Sequence, residues 1–103
     1  MLIDEIKESL PEIKIIILET FILKGSCTEK LWNEFDSEVR KMAEISKQIA
    51  EKYNFGFVPL QNRFDELSAD GNTAYWTADG IHPTIEGHRI IKEELQKVIE
   101  KYI

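Results

Sequence analysis

The run Ile13-Lys14-Ile15-Ile16-Ile17-Leu18-Glu19-Thr20-Phe21-Ile22-Leu23 constrains this chain more than any other stretch. Aliphatic and β-branched residues follow one another almost without polar alternation. That is the pattern of a strand buried on both faces, as in a parallel sheet covered by helices. The flanking segments supply the helices. Upstream, Leu2, Ile3, Ile6 and Leu10 recur at helical spacing and Pro11 ends the helix. Downstream, Ser26 and Glu29 have capping-box spacing, and Trp32, Phe35, Val39, Met42, Ile49 and Tyr53 mark one helical stripe. Phe55-Gly56-Phe57-Val58-Pro59-Leu60 reads as a second strand, followed by a brief helix through Phe64 and Leu67 that Asp70-Gly71-Asn72 closes. An irregular segment from Tyr75 to Pro83 precedes a last helix, capped by Thr84, with Ile91, Leu95, Val98 and Tyr102 facing inward. The order of elements predicts the α/β class with parallel strands.

At 103 residues the chain is one domain at most. Two strands make a meagre sheet, and one as apolar as Ile13–Leu23 calls for neighbours on both edges. The expectation is a piece of a larger domain or an oligomer joined through the open edge. Nineteen acidic against 13 basic residues give a net charge of -6, which repels phosphate backbones and anionic lipid. Nucleic acid and membrane surfaces are therefore not expected partners. A single cysteine, Cys27, allows no internal disulfide and fits a reducing compartment. No apolar run approaches the roughly 20 residues of a membrane span, and Met1-Leu2-Ile3-Asp4-Glu5 lacks a basic leader. A cytoplasmic protein is the expectation.

The densest polar chemistry lies in Trp76-Thr77-Ala78-Asp79-Gly80-Ile81-His82-Pro83-Thr84. An Asp three residues before a His lets the carboxylate fold back onto the imidazole. It would fix the tautomer, leave Nε2 free as a base and stabilise the imidazolium. Gly80 frees the backbone for the tight return, and Pro83 keeps His82 out of helical geometry. By spacing alone, a plain Asp-Gly turn followed by a surface or capping histidine is the favoured reading, since Asp-x-x-His is common by chance.

The string Trp76-x-x-Asp79-Gly80-Ile81-His82-Pro83-Thr84-x-x-Gly87-His88 resembles the last block of the SGNH hydrolases, also called the GDSL esterase/lipase family. The likeness spans nearly the whole chain. Ile13–Leu23 with Glu19-Thr20-Phe21 is similar to the late core strand of that family, and the helix from Glu29, Phe57-Val58-Pro59-Leu60 and Phe64 follow in the usual order. The resemblance implies a flavodoxin-like three-layer α/β/α fold, cut to its C-terminal part with about two strands. It also implies that Asp79 and His82 belong to a Ser-His-Asp triad acting on small acyl esters or acetylated carbohydrate. No cofactor is implied. The Gly-Asp-Ser nucleophile block of the family and its oxyanion-hole blocks are absent, and none of Ser9, Ser26, Ser37, Ser46 and Ser68 follows Gly-Asp. The expected chain is the Asp-His part of an ester hydrolase, inactive alone. The alternative is a non-catalytic α/β fragment that only self-associates.

Other candidates are weaker. Ser26 or Cys27 could replace the nucleophile, but Ser26 is claimed as a helix cap and Cys27 reads as a small buried hydrophobe. His82, His88, Asp79 and Cys27 lack any metal-ligand spacing. His88 falls on the inward stripe of the last helix, and Trp76 reads as an apolar lid. The orphaned edge of Ile13–Leu23 predicts a homodimer with an antiparallel, two-fold pairing of that strand.

Overall fold

The computed structural model describes residues 2–10 and 12–102. Helix α1 (Leu2–Ser9) leads into strand β1 (Ile16–Leu18), helix α2 (Trp32–Tyr53) and strand β2 (Gly56–Val58). Helices α3 (Gln61–Leu67), α4 (Thr73–Trp76) and α5 (Ile85–Tyr102) complete the chain. The expected end of α1 at Pro11 lies outside the described residues.

The strands pair in parallel, with Ile16 opposite Gly56, Ile17 opposite Phe57 and Leu18 opposite Val58. The crossover between them is α2, which packs on both strands, while α5 packs on β2. Gly56 is what lets α5 come close, since a side chain there would meet Ile16, Val98 and Tyr102. The core gathers where α5, β2 and α3 converge. Leu23, Val58, Leu60, Phe64 and Ile90 are buried, with Ile16, Phe21, Leu67, Trp76, Ile91, Leu95 and Val98 packed around them. Phe21 stacks on Phe64 at 4.2 Å between centroids, a contact worth about 1 kcal/mol beyond its buried area. The inward stripe expected for α5 holds.

The structure corrects the reading of the long apolar run. Only Ile16–Leu18 of residues 13–23 form a strand, half-buried rather than covered on both faces, with Leu18 exposed. The reason lies at its carboxyl end. Glu19 donates its backbone N–H to the Val58 carbonyl, but its side chain then turns to the next helix. There Oε1 accepts the backbone N–H groups of Leu60 and Gln61 at 2.9 and 2.7 Å. This carboxylate satisfies free donors at the start of α3, where anionic charge is favoured. Beyond it, Ile22 and Leu23 are buried as irregular backbone. The Gln61 amide holds Ile22 by accepting its N–H at 2.9 Å and donating to its carbonyl at 2.8 Å.

Two further expectations change. The Ser26–Glu29 capping box does not form: the N–H groups of Thr28 and Glu29 both donate to the Gly25 carbonyl, closing a separate turn, and α2 starts only at Trp32. In α2 the buried line runs through Ala43 and Ala50, so Phe35 and Met42 of the expected stripe are exposed. Bulky residues rather than alanines would face the strands if the stripe were centred on β1 and β2. The apolar surface of α2 is instead turned to one side.

Candidate active site

Asp79 and His82 lie in the loop between α4 and α5. Thr84 caps α5 by accepting the Gly87 N–H at 3.1 Å and donates its hydroxyl to the Tyr75 carbonyl at 2.7 Å. Thr77 and Pro83 face each other across an isolated antiparallel bridge, and the Ala78 N–H donates to the His82 carbonyl at 2.8 Å. The segment between is thereby a closed loop. Gly80 sits at its apex with φ +100°, a left-handed conformation that disfavours any side chain. A Cβ there would also strike the Leu23 carbonyl and the Thr28 hydroxyl.

Those two groups belong to the segment that leaves β1, which holds the loop from the other side. The Leu23 N–H donates to the Gly80 carbonyl at 2.9 Å and the Cys27 N–H to the Asp79 carbonyl at 3.0 Å. Buried Thr28 donates to the Leu23 carbonyl at 2.7 Å and accepts the Gly25 N–H at 2.8 Å. Gly25 packs directly on the Asp79–Gly80 peptide with no room for a Cβ. The loop is therefore fixed at the carboxyl end of β1, the end at which α/β sheets bind ligands.

Within this frame the Asp79 carboxylate is fully employed. Oδ1 accepts the backbone N–H groups of His82 at 2.8 Å and Ile81 at 2.9 Å. Oδ2 lies 2.7 Å from His82 Nδ1. Opposite a carboxylate that accepts only, Nδ1 is the protonated nitrogen and donates. The backbone N–H of His82, then its ring, then the N–H of Ile81 hold the Asp79 carboxyl well below the usual carboxylate range. The second ring nitrogen, Nε2, has no partner among the described residues, and the His82 side chain is 76% exposed. The dyad stands open. A cavity of about 740 Å³ between Gly56–Pro59 and the end of α5 is lined by neither residue.

The other sequence candidates separate. The Cys27 thiol lies 3.7 Å from Asp79 Oδ2 and is exposed, not buried as expected. His88 is exposed on α5, so it is not the core histidine its spacing suggested. In the apolar stripe of α5, one step of about 100° moves a side chain from the core to solvent. Trp76 is no lid. It meets Phe64 edge-on at 6.3 Å and donates its indole N–H to the Leu67 carbonyl at 3.3 Å, as part of the core wall. Among the described residues no group of three or more His, Cys, Asp or Glu side chains is placed to hold a metal ion. No helix there is long and apolar enough to cross a membrane. Sequence reasoning missed Glu19, Gln61 and Thr28 as the residues that hold the loop's support, because their partners lie far along the chain.

The chain as a whole is similar to known proteins. The chain is 34% identical over 85 residues to an acetylxylan esterase of Geobacillus stearothermophilus, covering 82% of this chain and 37% of that one. It superimposes with a TM-score of 0.86 and 26% identity on the crystal structure of a protein of Parabacteroides merdae assigned as a GDSL-like lipase. That match covers 94% of this chain and 44% of the other, so this chain spans less than half the length of either relative. The architecture is thus the α/β fold shared with that crystal structure, here with two parallel strands. With residues 1–90 also matching the family model itself, the chain belongs to the GDSL-like lipase/acylhydrolase family.

Proposed function

We propose that this chain carries the general acid–base part of a serine ester hydrolase, with His82 as the base and Asp79 as the residue that orients it. One observation carries the reading: Asp79 Oδ2 stands 2.7 Å from His82 Nδ1 while Nε2 faces solvent. In the reaction, Nε2 takes the proton of a serine hydroxyl as its oxygen bonds to the ester carbonyl carbon. As the tetrahedral adduct collapses, the bond from carbon to the alcohol oxygen breaks and Nε2 returns the proton to that oxygen. Water repeats the sequence on the acyl-enzyme and frees the acid and the serine. No cofactor takes part in these steps. The hydroxyl and the oxyanion donors come from outside these 103 residues, where no serine follows Gly-Asp. The likeness to an acetylxylan esterase supports small acyl groups, acetate foremost, on a carbohydrate alcohol.

Nitrogen-resolved NMR of the His82 ring tests the assignment. At pH 8 the expected state is Nδ1 protonated and Nε2 bare; the reverse tautomer removes His82 as the base. The isolated chain is expected to hydrolyse p-nitrophenyl acetate no faster than its His82→Ala variant. Turnover lost in that variant and in Cys27→Ala or Ser26→Ala would show an attacking group within the chain.

A second reading, a non-catalytic α/β unit that pairs with its own copy along β1, is favoured by the exposure of Leu18 within that strand. A dimer mass by light scattering at micromolar concentration, abolished by Ile16→Pro, would support it.

A further inference from the structure

Packing does not hold the His82 ring. The side chain is 76% exposed, and its one hydrogen bond among the described residues goes to Asp79. The geometry of the dyad is therefore set by the backbone that aims the Asp79 carboxylate, the Asp79–Gly80 peptide and its flanks.

Two buried hydroxyls grip that peptide from opposite sides. The Gly80 N–H donates to Thr77 Oγ1 at 3.0 Å, away from solvent. The Gly80 carbonyl accepts the Leu23 N–H at 2.9 Å, and the Leu23 carbonyl in turn accepts the Thr28 hydroxyl at 2.7 Å. The same Thr28 oxygen lies where a side chain on Gly80 would begin. Thr28 and Thr77 are 0% and 1% exposed, as deeply buried as the apolar core.

Each hydroxyl is used twice, once as donor and once as acceptor. Thr77 accepts from Gly80 and donates to the Thr73 carbonyl of α4 at 3.4 Å. Thr28 accepts the Gly25 N–H at 2.8 Å and donates to Leu23. A methyl in the place of either oxygen leaves a buried N–H without a partner, a costly state that the backbone relieves by turning. Threonine also fixes the direction of its oxygen, because two heavy atoms on Cβ restrict χ1.

Turning the Gly80 peptide cannot leave the dyad as it is. Asp79 Oδ1 accepts from the N–H groups of Ile81 and His82, and Oδ2 lies 2.7 Å from His82 Nδ1. Donors and acceptor sit on the two sides of Gly80, so a rotation there shifts one against the other.

We propose that Thr28 and Thr77 are positioning residues of the dyad: their hydroxyls clamp the Asp79–Gly80 peptide and thereby set which ring nitrogen of His82 carries the proton. The use of that tautomer in ester hydrolysis rests on the hydrolase reading above; the clamp does not.

The test compares Thr77→Val with Thr77→Ser, and Thr28→Val with Thr28→Ser, in the 103-residue chain. Valine keeps the shape and removes the hydroxyl, whereas serine keeps the hydroxyl and removes the methyl. The readouts are nitrogen-resolved NMR of the His82 ring at pH 8, carbon-resolved titration of the Asp79 carboxyl, and urea unfolding. Each valine variant is expected to replace the single Nδ1-protonated ring by a mixture of tautomers. It also raises the Asp79 carboxyl toward the ordinary value of about 3.9. Each serine variant is expected to keep both wild-type signatures even where its urea midpoint falls. A folded valine variant that loses stability but keeps both signatures overturns the proposal, as does a serine variant that loses them. A measurement on the unsubstituted chain stands beside these, whether or not a valine variant folds. The Gly80 amide is expected to exchange with solvent far more slowly than the exposed Ile81 amide, and equal rates overturn the clamp. A wild-type ring protonated on Nε2 removes the hydrolase reading instead, and the Asp79 titration and the Gly80 amide then decide the clamp alone.

Discussion

Asp79 makes four demands of its surroundings and each is met by a neighbour: two backbone N–H groups, one imidazole and a peptide held from behind by Cys27. Its depressed carboxyl pKa has a definite sign in stability. A carboxyl whose folded value lies below its unfolded one contributes above the unfolded value, about pH 4, and loses that contribution as pH falls through the folded one. The loop is therefore expected to hold its shape as pH drops through 4 and to loosen only well below it. Carbon-resolved NMR titration of the Asp79 carboxyl checks this, and protonation near pH 4 would contradict the geometry. Asp79→Asn keeps an acceptor for the two N–H groups but can offer its amide to Nδ1, so the bare nitrogen of His82 is expected to switch from Nε2 to Nδ1. Gly80→Ala meets both a left-handed φ and the Leu23 carbonyl. A loss of about 2 kcal/mol or more in urea unfolding is expected.

At the scale of elements, the site is carried by contacts between segments distant in sequence. Glu19 leaves β1 to satisfy the first donors of α3, and Gln61 on α3 returns to hold Ile22 just before the loop's anchor at Leu23. Glu19→Ala is expected to cost about 1–2 kcal/mol, as loss of a helix cap does. It should also raise exchange of the Leu60 and Gln61 amides. Phe64, fully buried between Phe21 and Trp76, ties α3 to both the β1 segment and α4. Phe64→Ala should cost about 3–5 kcal/mol in the same measurement. Apart from α4, which forms at Thr73–Trp76 where an irregular segment from Tyr75 was expected, the order of elements was legible from the sequence because each depends on local periodicity. Strand length was not. The apolar run predicts burial correctly at Ile22 and Leu23, but pattern alone cannot tell a ladder from irregular backbone pinned by side chains.

At the scale of the whole molecule, the chain has one finished side and one unfinished side. Phe35→Glu with Met42→Glu changes side chains that are exposed in the isolated chain. A shift within about 0.5 kcal/mol per site is expected, together with less self-association on light scattering. A large destabilisation would mean that the α2 flank is already covered. The Asp-x-x-His pair was readable because its geometry closes within four residues, through an Asp-Gly turn that the sequence spells out. The open edge was also foreseeable, since so apolar a strand with one partner must lack another. What the sequence determined by itself is what short range sets: every helix but α4, the two strands' places and a spacing that allows the bond between Asp79 and His82, to which the family resemblance pointed. Tertiary structure alone decided that α2 turns Ala43 and Ala50, not Phe35 and Met42, to the sheet, that His88 and Cys27 face solvent, and that Glu19, Gln61 and Thr28 support the loop. Periodicity fixes which residues share a face, but only the packing of distant segments fixes where that face points.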